Sequence, residues 1–229
     1  MQCGAADVGI TGEDMLQERE AKIEKLLKLN FGACKVFVAA PKDSKVKSSK
    51  DYKGGLKVAT KLVNIAKNYF SKQNAYCEVI PIAGATELAP YLGIADLIVD
   101  QVSTGTTLTE NNLRIVDVIM ESNIYLVANK QSLASKGDDI DALKISIEGV
   151  VTADVKRYIM MNVTSDEALV RVVKVVPCME SPTVLKLAKE GEYSVHSVVD
   201  SSDLIKTIQK IKKAGAKDIL VLNMSRIVE

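Results

Sequence analysis

The fold is decided by Gly93–Leu108, GIADLIVDQVSTGTTL, where a short apolar run leads into a loop of small polar residues. The run Ile94–Val99 is interrupted only by Asp96 and has the length of a buried strand. Such strands are typical of parallel sheets, and ligands collect at the loops that follow their carboxyl ends. The segment therefore predicts an α/β protein with a ligand-binding loop that begins at Asp100.

The loop itself, Ser103-Thr104-Gly105-Thr106-Thr107, has the composition of a phosphate-binding turn. Backbone N–H groups of such a turn can form an anion-binding nest, and its glycine permits close approach of a ligand. Asp96 and Asp100, four residues apart, could accept hydrogen bonds from ribose hydroxyls or position Mg²⁺ beside a pyrophosphate. The alternative is an ordinary polar turn, because this string is not diagnostic by itself.

Apolar and amphipathic stretches alternate on both sides of this segment, which is typical of an α/β protein with largely parallel sheets. Two strands and the helix between them, from Leu56 to Ile82, form a βαβ unit. The predicted strands are Ala6–Ile10, Val36–Ala40, Leu56–Thr60, Glu78–Ile82, Ile94–Val99, Ile115–Met120 and Ile124–Ala128. The predicted helices are Thr11–Asn30, Leu62–Phe70, Glu87–Leu92 and Asp138–Asp154.

A second candidate anion site lies at Asp7–Asp14, DVGITGED, where a predicted strand leads through two glycines into a helix. Free amides and the dipole at a helix start attract negative charge. We therefore expect Thr11 and Gly12 to contact a ligand. The alternative is a helix cap alone, because Glu13 and Asp14 already place carboxylates in the first turn.

From Arg157 onward the pattern changes to that of a small separate unit with the order β-α-β-α-β, which is typical of ferredoxin-like domains. Thr164 and Glu167 form a predicted capping box for the first helix, and Gly215 ends the second. An extra strand is predicted near Val172–Val176. The other predicted strands are Tyr158–Met161, Tyr193–Val199 and Asp218–Leu222.

Composition excludes several classes of protein. The net charge of +1, from 30 basic and 29 acidic residues, argues against a nucleic-acid-coating or disordered chain. No apolar run approaches the ~20 residues that span a bilayer, and residues 1–14 lack the positive flank of a secretory signal. We therefore expect a cytoplasmic protein without membrane or nucleic-acid partners. Four scattered cysteines and one histidine, His196, predict reduced, mostly buried thiols and a histidine with a packing or surface role rather than a zinc site. The alternative for the cysteines is two disulfides, which their even number would allow.

Six segments in fixed order resemble ATP phosphoribosyltransferase, the first enzyme of histidine biosynthesis. Their order and spacing agree over nearly the whole chain, which makes the resemblance far more specific than any one motif. The part from Arg157 to Glu229 resembles the regulatory domain of the long form of the enzyme. The segments are Gly4–Asp14 (GAADVGITGED), Lys35–Pro41 (KVFVAAP), Lys57–Thr60 (KVAT), Gly84–Pro90 (GATELAP), Gly93–Leu108 (GIADLIVDQVSTGTTL) and Glu180–Val184 (ESPTV).

The resemblance implies an α/β fold with a two-lobed, periplasmic-binding-protein-like (type II) catalytic body and a C-terminal ferredoxin-like α+β domain. Residues 1–34 and 123–150 would form lobe I, and residues 35–122 would form lobe II with the phosphoribosyl pyrophosphate loop. Residues 151–229 would form the histidine-binding regulatory domain. Family resemblance further implies assembly into homo-oligomers, from dimers to hexamers.

The implied reaction condenses ATP with phosphoribosyl pyrophosphate, with Mg²⁺ as cofactor, to give N1-(5-phosphoribosyl)-ATP and pyrophosphate. Adenine N1 displaces pyrophosphate from the ribose C1, so no protein nucleophile is needed and catalysis rests on alignment and charge stabilisation. The resemblance implies that Asp100 and Glu87 are catalytic residues of one cleft, in which Asp100 meets the ribose hydroxyls and residues 103–107 hold the 5′-phosphate. ATP is expected at Thr11 and Gly12. The alternative for Glu87 is a carboxylate in the first turn of a helix.

The segment Glu180–Val184 resembles the place where long-form enzymes bind histidine as a feedback inhibitor. Ser181 and Thr183 carry short hydroxyls suited to the polar ends of an amino acid, and Met179 lies beside them in the sequence. Inhibition requires that histidine bind one arrangement of the oligomer better than another. The alternative is a proline-bearing turn between two strands.

One departure from the family concerns the N-terminus. Family members begin with a further strand and helix of lobe I and basic residues of the cleft, so we expect this sequence to be a fragment or to have a misplaced start. As written, the chain would leave a sheet edge and an apolar face uncovered. Two other functions therefore remain open, a catalytically inactive histidine-sensing module and a plain solute-binding domain on the two-lobed scaffold.

Overall fold

The computed structural model describes residues 3–52, 54–102 and 111–228, which divide into two compact units, Met1–Ile140 and Asp141–Glu229. In the first unit the described strands are β1 (Val8–Gly12), β2 (Glu24–Lys28), β3 (Cys34–Pro41), β4 (Leu56–Thr60), β5 (Cys77–Pro81), β6 (Leu97–Val102), β7 (Leu113–Ser122) and β8 (Ile124–Ala128). The described helices up to residue 154 are α1 (Glu13–Glu18), α2 (Val63–Lys72), α3 (Lys130–Ser135) and α4 (Gly137–Asp154).

A five-stranded sheet with the order β5-β4-β6-β3-β7 forms the larger part of the first unit. Strand β4 pairs in parallel with β5 and β6, so the predicted βαβ unit β4-α2-β5 is confirmed. Strand β3 pairs antiparallel with both β6 and β7. The expectation of a largely parallel sheet is therefore wrong for strands β6, β3 and β7. The chain reaches β3 from β2, which lies outside this sheet, and not through the helical crossover that joins parallel neighbours.

Both faces of the central strands of this sheet, β3, β4 and β6, are buried. One face packs Val36, Val38, Val58, Leu97 and Val99 against the apolar side of α2, and the other is covered by a smaller cluster around Phe37 and Ile98. Strands buried on both faces have continuous apolar runs rather than alternating ones, as the sequence of β3 and β6 predicts.

A second sheet of the same unit has three antiparallel strands in the order β1-β8-β2. The predicted helix Thr11–Asn30 is wrong beyond Glu18, because α1 ends there and Glu24–Lys28 is a strand. Glu20 has a left-handed φ of 47°, which turns the chain out of the helix. Pairing of β2 with β8, through a bulge between Lys25 and Leu27, outweighs the helical propensity of this charged and leucine-rich segment.

The predicted helix Glu87–Leu92 is also wrong. Only a 3₁₀ turn forms, at Thr86–Leu88, after Ala85 adopts a left-handed φ of 50°. The predicted strand Ile94–Val99 lies three residues later, as β6, so Asp100 is within the strand rather than after it. No helix among the described residues is long and apolar enough to cross a membrane.

The second unit has the order β9 (Lys156–Val163), α5 (Asp166–Val175), β10 (Thr183–Lys186), β11 (Tyr193–Asp200), α6 (Leu204–Ala214) and β12 (Lys217–Leu222). Its antiparallel sheet has the order β10-β11-β9-β12, which is the ferredoxin-like arrangement predicted above. Its core is formed by Ile159, Met161, Val172, Val195 and Ile211.

Two details of this unit correct the sequence analysis. The cap of α5 is Ser165 rather than Thr164, and its hydroxyl accepts the N–H of Ala168 at 3.2 Å. The extra strand is β10, whereas most of Val172–Val176 belongs to α5. Gly215 ends α6 with a φ of 115°, as expected for a left-handed C-cap.

Candidate functional site

Asp100 lies next to Lys61 at the carboxyl end of the parallel pair β4 and β6. The Lys61 ammonium is 3.6 Å from one Asp100 carboxylate oxygen, which also accepts the N–H of Gln101 at 2.8 Å. The Asp100 side chain is 21% exposed, so it can still be reached from solvent. A carboxylate and a cation thus stand together where ligands of α/β sheets collect.

The predicted phosphate loop, residues 103–107, lies outside the described residues. Its expected donors are Ser103, Thr104, Gly105, Thr106 and Thr107, and their role stays a prediction. The structure describes the strand that leads into this loop, which ends at Val102.

Thr11 and Gly12 form the last two residues of β1, directly before α1. A Cβ atom at Gly12 would overlap the Asp14 carboxylate oxygen, so a larger residue there would displace the Asp14 side chain. The first amides of α1 already have partners, since Glu13 N–H donates to the Asn123 carbonyl at 2.9 Å and Asp14 N–H to the Ser122 hydroxyl at 3.1 Å. These amides are therefore not free for an anion, and contact of Thr11 and Gly12 with ATP stays a prediction.

Asp14 is a buried carboxylate that links the two sheets of the first unit. The Ser122 hydroxyl, at the end of β7, donates to it at 2.6 Å, and the Gln101 side-chain amide, on β6, donates to its other oxygen. Burial raises the pKa of the nearby Cys34 thiol, and the negative charge of Asp14 raises it further. The sequence marks Asp14 only as a helix carboxylate, because neither partner is near it in the chain.

Glu87 is half-buried in the 3₁₀ turn Thr86–Leu88, which lies against β6. The turn therefore lies beside the strand that contains Asp100, but no described contact joins the Glu87 and Asp100 carboxylates. Its catalytic role therefore stays a prediction.

The Asp100 carboxylate is compatible with binding of Mg²⁺. Among residues 3–52, 54–102 and 111–228, no group of three or more Asp, Glu, His or Cys side chains could hold a metal ion. Mg²⁺ commonly uses one or two protein carboxylates, several waters and the phosphates of a substrate. The partly exposed Asp100 fits that pattern, in which substrate phosphates supply the remaining ligands.

The second unit contains an open cavity of about 740 Å³. The three residues predicted for histidine binding, Met179, Ser181 and Thr183, all line it, on the segment before and at the start of β10. His196 and Tyr158 form part of its wall. The part of the lining that β9 and β11 provide was not among the predicted residues, and binding of histidine in this cavity stays a prediction.

Both ring nitrogens of His196 have partners. Its Nδ1 is 2.7 Å from the Tyr158 hydroxyl, and its Nε2 is 2.9 Å from the Ser194 hydroxyl. The Tyr158 ring also meets the imidazole edge-on, with centroids 5.8 Å apart. The imidazole is therefore fixed in orientation on the cavity wall, at the position opposite Thr183 in the β10-β11 pair.

Comparisons with known proteins agree over almost the whole chain. A family model described as ATP phosphoribosyltransferase matches residues 1–149, and one described as the C-terminal domain of HisG matches residues 153–226. An ATP phosphoribosyltransferase of Methanothermobacter thermautotrophicus is 42% identical over 98% of this chain and 78% of its own length. One of Methanocaldococcus jannaschii is 43% identical over 98% of this chain and 80% of its own length.

Among solved structures, the ATP phosphoribosyl transferase (HisG:HisZ) complex from Thermotoga maritima contains a similar chain. It is 33% identical, with a TM-score of 0.57 over 62% of this chain and 68% of that chain. Together with the observed sheets, these matches confirm the predicted family resemblance and fold class.

Proposed function

The chain belongs to the ATP phosphoribosyltransferase family, a group of glycosyltransferase-type enzymes of histidine biosynthesis, and on that premise we propose its reaction. It condenses ATP with phosphoribosyl pyrophosphate, giving N1-(5-phosphoribosyl)-ATP and pyrophosphate. The observation that carries the proposal is the pairing of Lys61 with the partly exposed Asp100 at the strand end that leads into residues 103–107.

In this proposal the protein aligns two substrates and stabilises the departing pyrophosphate. Asp100 accepts hydrogen bonds from the ribose hydroxyls, while residues 103–107 hold the 5′-phosphate through backbone N–H groups and hydroxyls. The Lys61 ammonium lies close enough to Asp100 to fix its carboxylate and to add positive charge. Thr11 and Gly12 contact ATP, and Glu87 completes the cleft. Bound Mg²⁺ supplies charge neutralisation for the pyrophosphate.

Histidine is proposed as the feedback inhibitor, bound in the cavity of the second unit. Ser181 and Thr183 provide hydroxyls, and Met179 provides apolar contact on the same wall. The volume of about 740 Å³ is ample for an amino acid. The effect of histidine on substrate binding is reciprocal by thermodynamic linkage, so the substrates weaken histidine binding by the factor by which histidine weakens theirs.

The proposed assembly is a homo-oligomer, from dimer to hexamer, in the cytoplasm. An oligomer can adopt two quaternary arrangements, and histidine shifts the equilibrium toward the arrangement that it binds more tightly. No partner besides ATP, phosphoribosyl pyrophosphate and histidine is needed for this scheme.

The test is pyrophosphate release from ATP and phosphoribosyl pyrophosphate, measured with the full chain and with and without histidine. Release that depends on both substrates and falls when histidine is added supports the proposal. Histidine binding by calorimetry without any release would instead identify a histidine-sensing module. Ser181→Ala combined with Thr183→Ala should relieve inhibition while leaving the uninhibited rate unchanged, since both residues lie in the second unit.

A further inference from the structure

Helix α2 has no cap from its own neighbourhood in the sequence. Its N-cap residue, Leu62, makes no side-chain capping bond, and its first turn contains no acidic residue. The first amides of any α-helix lack partners inside the helix. Here those of Asn64 and Ile65 donate to the Glu18 carboxylate, at 2.9 and 3.0 Å.

Glu18 reaches α2 from the other sheet of the first unit. It is the last residue of α1, which follows β1 of the three-stranded sheet, whereas α2 follows β4 of the five-stranded sheet. The Asn64 side-chain amide also donates to the Glu18 backbone carbonyl at 2.8 Å. The cap of α2 therefore exists only while α1 and α2 are in contact.

A second carboxylate of α1 points to the same sheet. Asp14 precedes Glu18 by one helical turn, so the two side chains share a face of α1. Asp14 bonds to Ser122 and Gln101, at the ends of β7 and β6. Helix α1 is thus attached to the five-stranded half of the unit through two carboxylates. Asp14 contacts β6 and β7, and Glu18 contacts the N-terminus of α2, where the helix dipole favours negative charge.

The elements joined by Glu18 carry the two halves of the proposed site. Helix α1 begins directly after Thr11 and Gly12, and α2 begins directly after Lys61 and Leu62, beside Asp100. We propose that Glu18 is a positioning residue for the transferase reaction, which holds these two halves together by capping α2. This inference rests on the proposed function, although the contact itself can be tested without it.

The expected magnitude follows from what an N-cap contributes. Loss of a capping side chain typically shifts the equilibrium between capped and uncapped forms by about fivefold to thirtyfold. When only part of the protein has the binding-competent arrangement, the apparent dissociation constant rises in inverse proportion to that fraction. Saturating substrate restores the arrangement, so the maximal rate changes much less than the apparent affinity.

The direct test is amide hydrogen exchange of the full chain, comparing wild type with Glu18→Ala. Exchange of the Asn64 and Ile65 amides should accelerate about fivefold to thirtyfold. The amides of Glu13 and Asp14 should accelerate with them, because α1 loses one of its two carboxylate attachments and keeps, towards α2, the bond from the Asn64 side-chain amide to the carbonyl of residue 18. Acceleration confined to α2 would mean a local cap without a positioning role, and unchanged exchange at Asn64 and Ile65 would mean no cap; either result overturns the proposal.

Two further variants sharpen the comparison. Glu18→Gln keeps one acceptor oxygen but loses the charge, so its exchange should be intermediate between wild type and Glu18→Ala. Glu24→Ala is the matched control, because that carboxylate pairs with Lys130 at 3.1 Å within the three-stranded half of the unit. Acceleration at Asn64 in the control as large as in Glu18→Ala would also overturn the proposal.

The kinetic readout separates positioning from general stability. In Glu18→Ala the KM for phosphoribosyl pyrophosphate should rise, by at most about thirtyfold, with kcat changing less than about twofold. An unchanged KM with a lower kcat contradicts positioning. Complete absence of turnover in the wild-type chain would refute the proposed function, while the exchange experiment would still decide whether Glu18 joins α1 to α2.

Discussion

Replacing Asp14 by alanine should destabilise the first unit far more than a surface substitution does. The Asp14 side chain is only 4% exposed, and it accepts hydrogen bonds from Ser122, at 2.6 Å, and from Gln101. A hydrogen bond to a charged group contributes about 1.5–3 kcal/mol, and removing the acceptor leaves both donors unpaired. The two bonds share one network and are not additive, so we expect a loss of about 2–4 kcal/mol.

Hydrogen exchange of the slowest amides of β3 and β8 measures this loss in the unit concerned. A loss of about 2–4 kcal/mol corresponds to exchange about 30 to 1,000 times faster for amides that exchange by global opening. The slow amides of β9 and β11 serve as an internal reference in the second unit. Asp43→Ala, at an exposed position, is the matched control. A change below about 0.5 kcal/mol, the range of ordinary surface substitutions, would refute the reasoning about this buried carboxylate.

Three further predictions address other parts of the chain. Gly12→Ala should lower the Tm of the first unit, because the new Cβ would overlap the buried Asp14 carboxylate and displace it from its partners; calorimetry that shows an unchanged Tm contradicts this. Tyr158→Phe removes a hydroxyl 2.7 Å from the cavity-wall imidazole, so the Kd for histidine should rise about fivefold, as titration calorimetry would measure. A hydrogen bond from Lys136 holds the pKa of Asp7 below its ordinary value of 3.8. The stability from this pair is therefore present above that value and lost as the pH falls through the lowered one, and an NMR titration of Lys136→Ala should show Asp7 returning toward 3.8.

Most strands of the chain could be predicted from the sequence because each buried strand coincides with a local run of apolar residues. The segments around Val38, Val58 and Leu126 are buried in the structure, and each is recognisable from its own residues. The second unit was predictable for the same reason, since its helices have clear apolar faces and end at residues such as Gly215.

The failures arose where distant contacts outweigh local pattern. Residues 24–28 have the composition of a helix but form a strand, because β8 offers them backbone partners. Glu18 and Gln101 act across 46 and 87 positions of the chain, and no spacing rule connects residues so far apart. The composition of residues 103–107 and the family resemblance could indicate a phosphate loop. The contact of Lys61 with Asp100 could not be predicted, because it depends on the pairing of β4 with β6.

The most direct test of the central claim follows backbone amide signals by NMR while phosphoribosyl pyrophosphate is added to the full chain. The account predicts saturable shifts that are largest at Lys61, at Asp100 and across residues 103–107 and smaller throughout the second unit. Shifts that spare this region, or that cluster around the cavity of the second unit, would contradict it.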